Sequence, residues 1–166
     1  VVFDSGNTFT GTVNSSPGGD TKVIGATTFN GITTLNGKNV SVSGALSTNN
    51  NLTLGAHTGN VTVGANITNS GSAKTITIRA TANVQITSGA ISTQAGSILI
   101  SSDTDNLNEG AIKVASGASV TSNGGSITLA GGDSNGTSYA KGTSVNQLTG
   151  GGYGGIFIAG SVSSGG

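Results

Sequence analysis

The residues of this chain that could do chemistry are few and scattered. Its six carboxylates are Asp4, Asp20, Asp103, Asp105, Glu109 and Asp133; Arg79 is the sole arginine and His57 the sole histidine. Only Ser101 to Glu109, SSDTDNLNE, brings acids close together. Carboxylates on alternate residues can converge on a hard cation, so Asp103, Asp105 and Glu109 are the candidate calcium ligands. The run departs from a calcium loop, because Leu107 stands where a ligand is expected and Gly110 comes late. The glycine-rich calcium nonapeptide is present only as a fragment, GGDSNG at 131–136. A solvated acidic loop is therefore the preferred reading, and calcium is the one cofactor considered.

Catalysis has little to build on. Glycoside hydrolysis needs a pair of acids. A nucleophile relay needs partners for His57 that no spacing supplies. His57, in GAHTGN, reads as a solvated turn residue, and nothing places Arg79 near an acid pair. The chain has no cysteine, so it has neither thiolate chemistry nor disulfides. We expect no enzyme and no catalytic residue. A hydrolase or lyase would regain ground if three or more of Asp103, Asp105, Glu109, Asp133, His57 and Arg79 met in one concavity.

The elements that must position these residues are legible from a recurring triplet. It reads Val40-Ser41-Val42, Leu52-Thr53-Leu54, Val61-Thr62-Val63, Ile76-Thr77-Ile78 and Val84-Gln85-Ile86. It continues through Ile98-Leu99-Ile100, Ile112-Lys113-Val114, Ile127-Thr128-Leu129 and Ile156-Phe157-Ile158. Side chains alternate faces along a strand, so each triplet is a short strand with two inward residues and one outward. Single apolar residues, Leu46, Ile67, Ile91, Val120 and Val162, lie between or after them. No segment has helical spacing, and Gly, Asn and Ser punctuate the whole chain. Sandwich strands are longer, and hairpin Asn-Gly pairs, as at Asn30, Asn36 and Asn135, are few and unevenly flanked. The pattern predicts an all-β solenoid, one domain over residues 1–166, with roughly 20 to 25 residues per turn and about seven turns. Asn60, Asn66, Asn69, Asn83 and Asn123 are candidates for corners and for hydrogen-bonded ladders. Residues 131–155 carry no triplet and read as a loop that leaves the coil with Tyr139 and Tyr153.

Composition narrows the partners. Charged residues are 7% with zero net charge, aromatics 4% and apolar residues 33%. Nucleic acid and anionic membranes both call for clustered cations, so both are disfavoured. No apolar run approaches the roughly 20 residues of a membrane helix. The outward middle residues Ser41, Thr53, Thr62, Thr77 and Thr128 suggest a threonine array of the kind that binds ice. Gln85, Leu99, Lys113 and Phe157 interrupt it. Leu99 and Phe157 are apolar at outward positions, and with Tyr139 and Tyr153 they are the interface candidates.

GGSITLAGGD at 124–133 and GNVTVGANITNSG at 59–71 resemble the repeats of filamentous haemagglutinin-type proteins. VVFDSGNTFTGTVN at 1–14 and GATTFNGITTLNGKNVSVSGALST at 25–48 resemble the β-strand repeats of giant bacterial surface proteins. The resemblance implies a right-handed parallel β-helix, secretion to the bacterial cell surface, and a structural role in adhesion, biofilm or an extracellular filament. That family's export domain carries an Asn-Pro-Asn-Gly type motif, which is missing here, so the chain is expected to be shaft. Low charge, no cysteine and abundant Gly, Asn and Thr fit the same setting. The expected partners are further copies or covalent repeats joined end to end, and a host or environmental glycan or surface. The alternative is a polysaccharide-active or ice-binding β-helix.

Overall fold

The structure, a computed structural model, describes residues 1–16, 18–107, 110–132 and 155–165. Within them the chain forms strands and corners with no helix. The strands fall into three sheets, all paired in parallel, and the chain visits A, B and C in rotation. Sheet A holds seven strands: Val2–Phe3, Thr21–Val23, Val40–Val42, Val61–Val63, Val84–Ile86, Ile112–Val114 and Ile156–Ile158. Sheet B also holds seven: Asn7–Phe9, Thr27–Phe29, Leu46–Thr48, Ile67–Ser72, Ala90–Gln94, Ser119–Thr121 and Ser161–Ser163. Sheet C holds six: Val13–Ser15, Thr33–Gly37, Leu52–Ala56, Ile76–Ala80, Ile98–Ser102 and Ile127–Gly131. This is a parallel β-solenoid.

The triplets form its core because their register repeats from turn to turn. In Val40–Val42, Val61–Val63 and Val84–Ile86 the first and third residues are buried and the middle one is partly exposed. Val61 pairs with Val40 on one side and Val84 on the other, so like stacks on like. The single apolar residues do the same in sheet B: Leu46, Ile67, Ile91, Val120 and Val162 make one column. Each fully buried Val, Leu or Ile contributes about 1.5–3 kcal/mol. The last triplet departs from this pattern. Ile156 and Ile158 are 40% and 47% exposed, because their strand is the outermost of sheet A and has a neighbour on one side only.

The coil also reaches further towards residue 1 than the apolar triplets do. In the turn containing residues 21–37, the first inward position of all three strands is a threonine: Thr21, Thr27 and Thr33, each at most 2% exposed. Their hydroxyls donate to carbonyls of Asn36, Gly25 and Gly31 respectively, which removes the cost of burying them. Beside these small residues sit three rings. Phe29 stacks on Phe9 with ring centroids 5.2 Å apart, and Phe3 meets both edge-on at 5.4 and 5.6 Å. Aromatic bulk offsets the narrow threonines and keeps the cross-section filled.

Candidate functional site at the C-to-A edge

The corners of the coil are not equivalent. Those from sheet A to sheet B stay short, as at residues 24–26, 43–45 and 64–66. Those from sheet C to sheet A vary, from residues 16–20, 38–39, 57–60 and 81–83 to the much longer 103–111 and 132–155. Both breaks in the sequence rhythm therefore lie at the same edge, on successive turns. Of the excursion expected at 131–155, only its first two residues and Gly155 are described. Tyr139, Tyr153, Glu109 and Asp133 lie outside the described residues.

A side-chain ladder ties this edge together. The Asp20 carboxylate accepts from the Asn39 amide nitrogen (3.0 Å) and backbone N–H (3.3 Å), 19 residues on. Asn39 Oδ1 accepts from the Asn60 backbone N–H at 2.9 Å, 21 residues on. Asn60 Oδ1 accepts both from the backbone and from the side chain of Asn83 at 3.0 Å, 23 residues on. Asn83 Oδ1 accepts from Ala111 N–H at 3.0 Å, 28 residues on. Stacked asparagines satisfy corner N–H groups that no strand partner reaches. The expected corner asparagines 60 and 83 belong to this ladder, which extends further to Asp20 and Asn39. Asn66 caps the A-to-B corner by accepting from Ala90 N–H. Asn69 instead points inward, 1% exposed, and donates to the Asn50 carbonyl. Asn123 adopts positive φ (48°) and donates to the Thr93 carbonyl. The bond from Asn39 holds the Asp20 carboxyl below the ordinary aspartate value, with lesser help from the charges of Lys22 and Lys38 and against some desolvation.

The acidic segment is split by burial. Asp103 is 1% exposed, with positive φ (55°). Asp105 is exposed and accepts from Leu107 N–H at 3.4 Å, a local turn contact. Among the described residues no three His, Cys, Asp or Glu side chains group so as to hold a metal.

Chemistry does converge on a groove of about 470 Å³ on this edge, lined by Asn36, Thr53, Gly55, Ala56, His57, Arg79, Thr81 and Thr104. The strand Leu52–Ala56 buries Leu52, Leu54 and Ala56 and turns Thr53 and Gly55 outward. Gly55 pairs with Asn36 on one side and Arg79 on the other, so these three share one outward row. A Cβ at Gly55 would lie 2.3 Å from Asn36 Oδ1, so glycine makes the floor of the groove. Thr104 arrives on the lengthened corner, where its N–H donates to the Ala80 carbonyl. The structure thus brings His57 and Arg79 together, and places Asp103 next to Thr104 along the chain. Among the described residues the lining includes no carboxylate, and it presents donors for binding.

The expected threonine array divides between two sheets. Ser41 and Thr62 belong to sheet A with Gln85, Lys113 and Phe157. Thr53, Thr77 and Thr128 belong to sheet C with Leu99. Leu99 and Phe157 therefore lie on different sheets and make no common patch. The uninterrupted array is on sheet B: Thr8, Thr28, Ser47, Thr68, Ser92, Thr121 and Ser163 follow one another in register. No apolar triplet marks it, because sheet B has one apolar column where the others have two. The signal was one polar hydroxyl directly after each single apolar residue. The chain matches no family model, no curated protein and no solved structure.

Proposed function

We propose that this chain is a shaft segment of a secreted bacterial surface or filament-forming protein, structural along its axis and adhesive through its lateral faces. The observation that carries the reading is the in-register stack itself: every described strand belongs to one of three continuous parallel sheets. Solenoids of this kind gain stability turn by turn and serve through length and surface. The outermost strands of each sheet offer edges on which a second copy or further repeats can pair. Cells displaying the chain should be retained on glycan-coated or abiotic surfaces above a matched unrelated display. Equal retention, together with turnover of any polysaccharide in a panel, would replace this reading with an enzymatic one. Sedimentation over a concentration series separates the two kinds of axial partner. Growing assemblies mean self-stacking, and a monomer at high concentration leaves covalent repeats alone.

The unbroken Ser/Thr column of sheet B favours a second reading, ice binding. Strand spacing sets its hydroxyls about 4.7–4.9 Å apart, and none of the sheet B strands contains a charged residue. Thermal hysteresis tests it directly, and freezing at the equilibrium melting point would dismiss it.

A further inference from the structure

We propose that the groove at the C-to-A edge binds a carboxylate-bearing sugar, one uronate unit of an acidic glycan. The proposal supplies a ligand for the adhesive reading and rests on it for its biological meaning, whereas the binding itself is a property of the isolated chain.

The lining decides the ligand class. Arg79 is the sole arginine, it is half-buried, and it stands in one row with the glycine floor. A guanidinium matches a carboxylate in a two-bond fork, and partial burial strengthens those bonds. Arg79 also interacts within the chain; five N–H donors let one guanidinium serve the fold and a ligand together. Around it stand three hydroxyls, one amide and one imidazole, from Thr53, Thr81, Thr104, Asn36 and His57. Hydroxyls and amides both donate and accept, as sugar hydroxyls do. Thr81 Oγ1 is buried and has no hydrogen-bond partner. A buried hydroxyl left unsatisfied is costly, and a ligand oxygen in the groove would supply the missing bond.

The same lining excludes other occupants. A neutral sugar is usually held against the face of a Phe, Tyr or Trp ring, and no described lining residue is one of these. A phosphate or sulfate polymer needs several cations, and Arg79 is the one lysine or arginine among the described lining residues. Asp103 and Asp105 lie on the same edge, so long-range attraction for anions is weak and selection depends on short bonds. The volume of about 470 Å³ falls within the roughly 300–1,000 Å³ of small-molecule sites.

The test titrates the whole chain, labelled for amide ¹H–¹⁵N spectra, with a glucuronate-containing tetrasaccharide and with the same tetrasaccharide methyl-esterified. The acid should give saturable shifts at Gly55, His57, Arg79, Thr81 and Thr104. The ester should bind roughly tenfold more weakly or worse, and Arg79→Gln should lose a similar factor for the acid only. Should Arg79→Gln disturb the fold, Thr53→Val keeps the strand shape and should weaken the acid about threefold. Equal affinity for acid and ester, or shifts confined to other faces, would overturn the proposal. Sedimentation and cell retention report on the shaft reading independently, so either can fail without the other.

Discussion

The C-to-A edge and the face of sheet B come from the same coil, yet their repeats hold different things constant. Across sheet B one outward column is a Ser or Thr in every strand, and no strand carries a charge. Along the C-to-A edge the corners range from residues 38–39 to 103–111, and of the described carboxylates Asp20, Asp103 and Asp105 fall there while Asp4 does not. The reason lies in how successive corners touch. At the A-to-B corner backbone rests on backbone: a Cβ at Gly44 would lie 2.5 Å from the Gly25 carbonyl, and one at Gly160 would lie 2.2 Å from the Ala118 carbonyl oxygen. At these contacts no side chain can be added without prising the turns apart. At the C-to-A edge, side-chain amides bridge the turns, and an amide on a rotatable stem spans a corner of variable length. A solenoid therefore varies where its turns are joined by side chains, and chemistry collects where variation is tolerated.

The largest effect that could break this comparison is steric. Gly44→Ala should cost about 3 kcal/mol or more, because its methyl group meets fixed backbone. Gly64→Ala, one turn on at the same corner, should stay within about 0.5 kcal/mol, since its nearest neighbour is Thr87 Oγ1 at 3.4 Å. Urea unfolding midpoints compare the two. If Gly44→Ala is tolerated as well as Gly64→Ala, backbone does not rest on backbone at Gly44 and the explanation fails.

The next effect addresses the ladder. Asn60→Ala leaves the Asn83 backbone N–H and side-chain amide without their acceptor and the Asn60 N–H still bound to Asn39. Orphaning partly buried donors should cost roughly 1–3 kcal/mol, read as a fall in Tm of about 2–4 °C per kcal/mol. Asn66→Ala, which breaks one exposed bond to Ala90, should cost less. The reverse order would mean that the ladder is decoration on a stack already fixed by its core.

These contrasts also explain what the sequence could reveal. The stack was legible because burial forces apolar residues into Val61 and Val63, Ile76 and Ile78, Ile98 and Ile100, at a period of two. The turn with Thr21, Thr27 and Thr33 was illegible, because a threonine bonded to a nearby carbonyl is as much core as a valine, and composition cannot tell the two apart. Asn60 and Asn83 were recognisable as corner residues. That Asp20 heads the same ladder depends on register, which residue type does not encode. The groove was hidden for a related reason. His57, Arg79 and Thr104 are far apart in the chain and meet only because the coil returns to the same edge. Leu99 and Phe157 show the converse: alike in the triplet, they lie on different sheets because position within the turn assigns the face.

A smaller effect sharpens the sheet B side. Thr68 is exposed and in the middle of the hydroxyl column. Thr68→Lys should change stability by no more than about 0.5 kcal/mol, since it breaks no buried contact. Where the column orders ice, the same change should abolish the hysteresis while Tm stays put. A large loss of stability would show that the outward column supports the fold and is not a free surface.

The smallest effect is a pH dependence confined to the head of the ladder. Asp20 has its folded pKa below the ordinary 3.8, chiefly through the Asn39 side chain. A lowered carboxyl pKa means that the unfolded chain binds the proton more tightly. The stabilisation is therefore complete above about pH 4 and disappears as pH falls through the folded value. Asp20→Asn keeps an oxygen acceptor for Asn39, as Asn60 provides for Asn83, and removes the titration. Melting curves of both proteins from about pH 6 to about pH 2 should run parallel at first and converge at the acid end. Their difference isolates Asp20, because the remaining carboxyls titrate in both. Curves that stay parallel to the lowest pH would show that the Asp20–Asn39 bond adds nothing to folding, and that the ladder begins at Asn39.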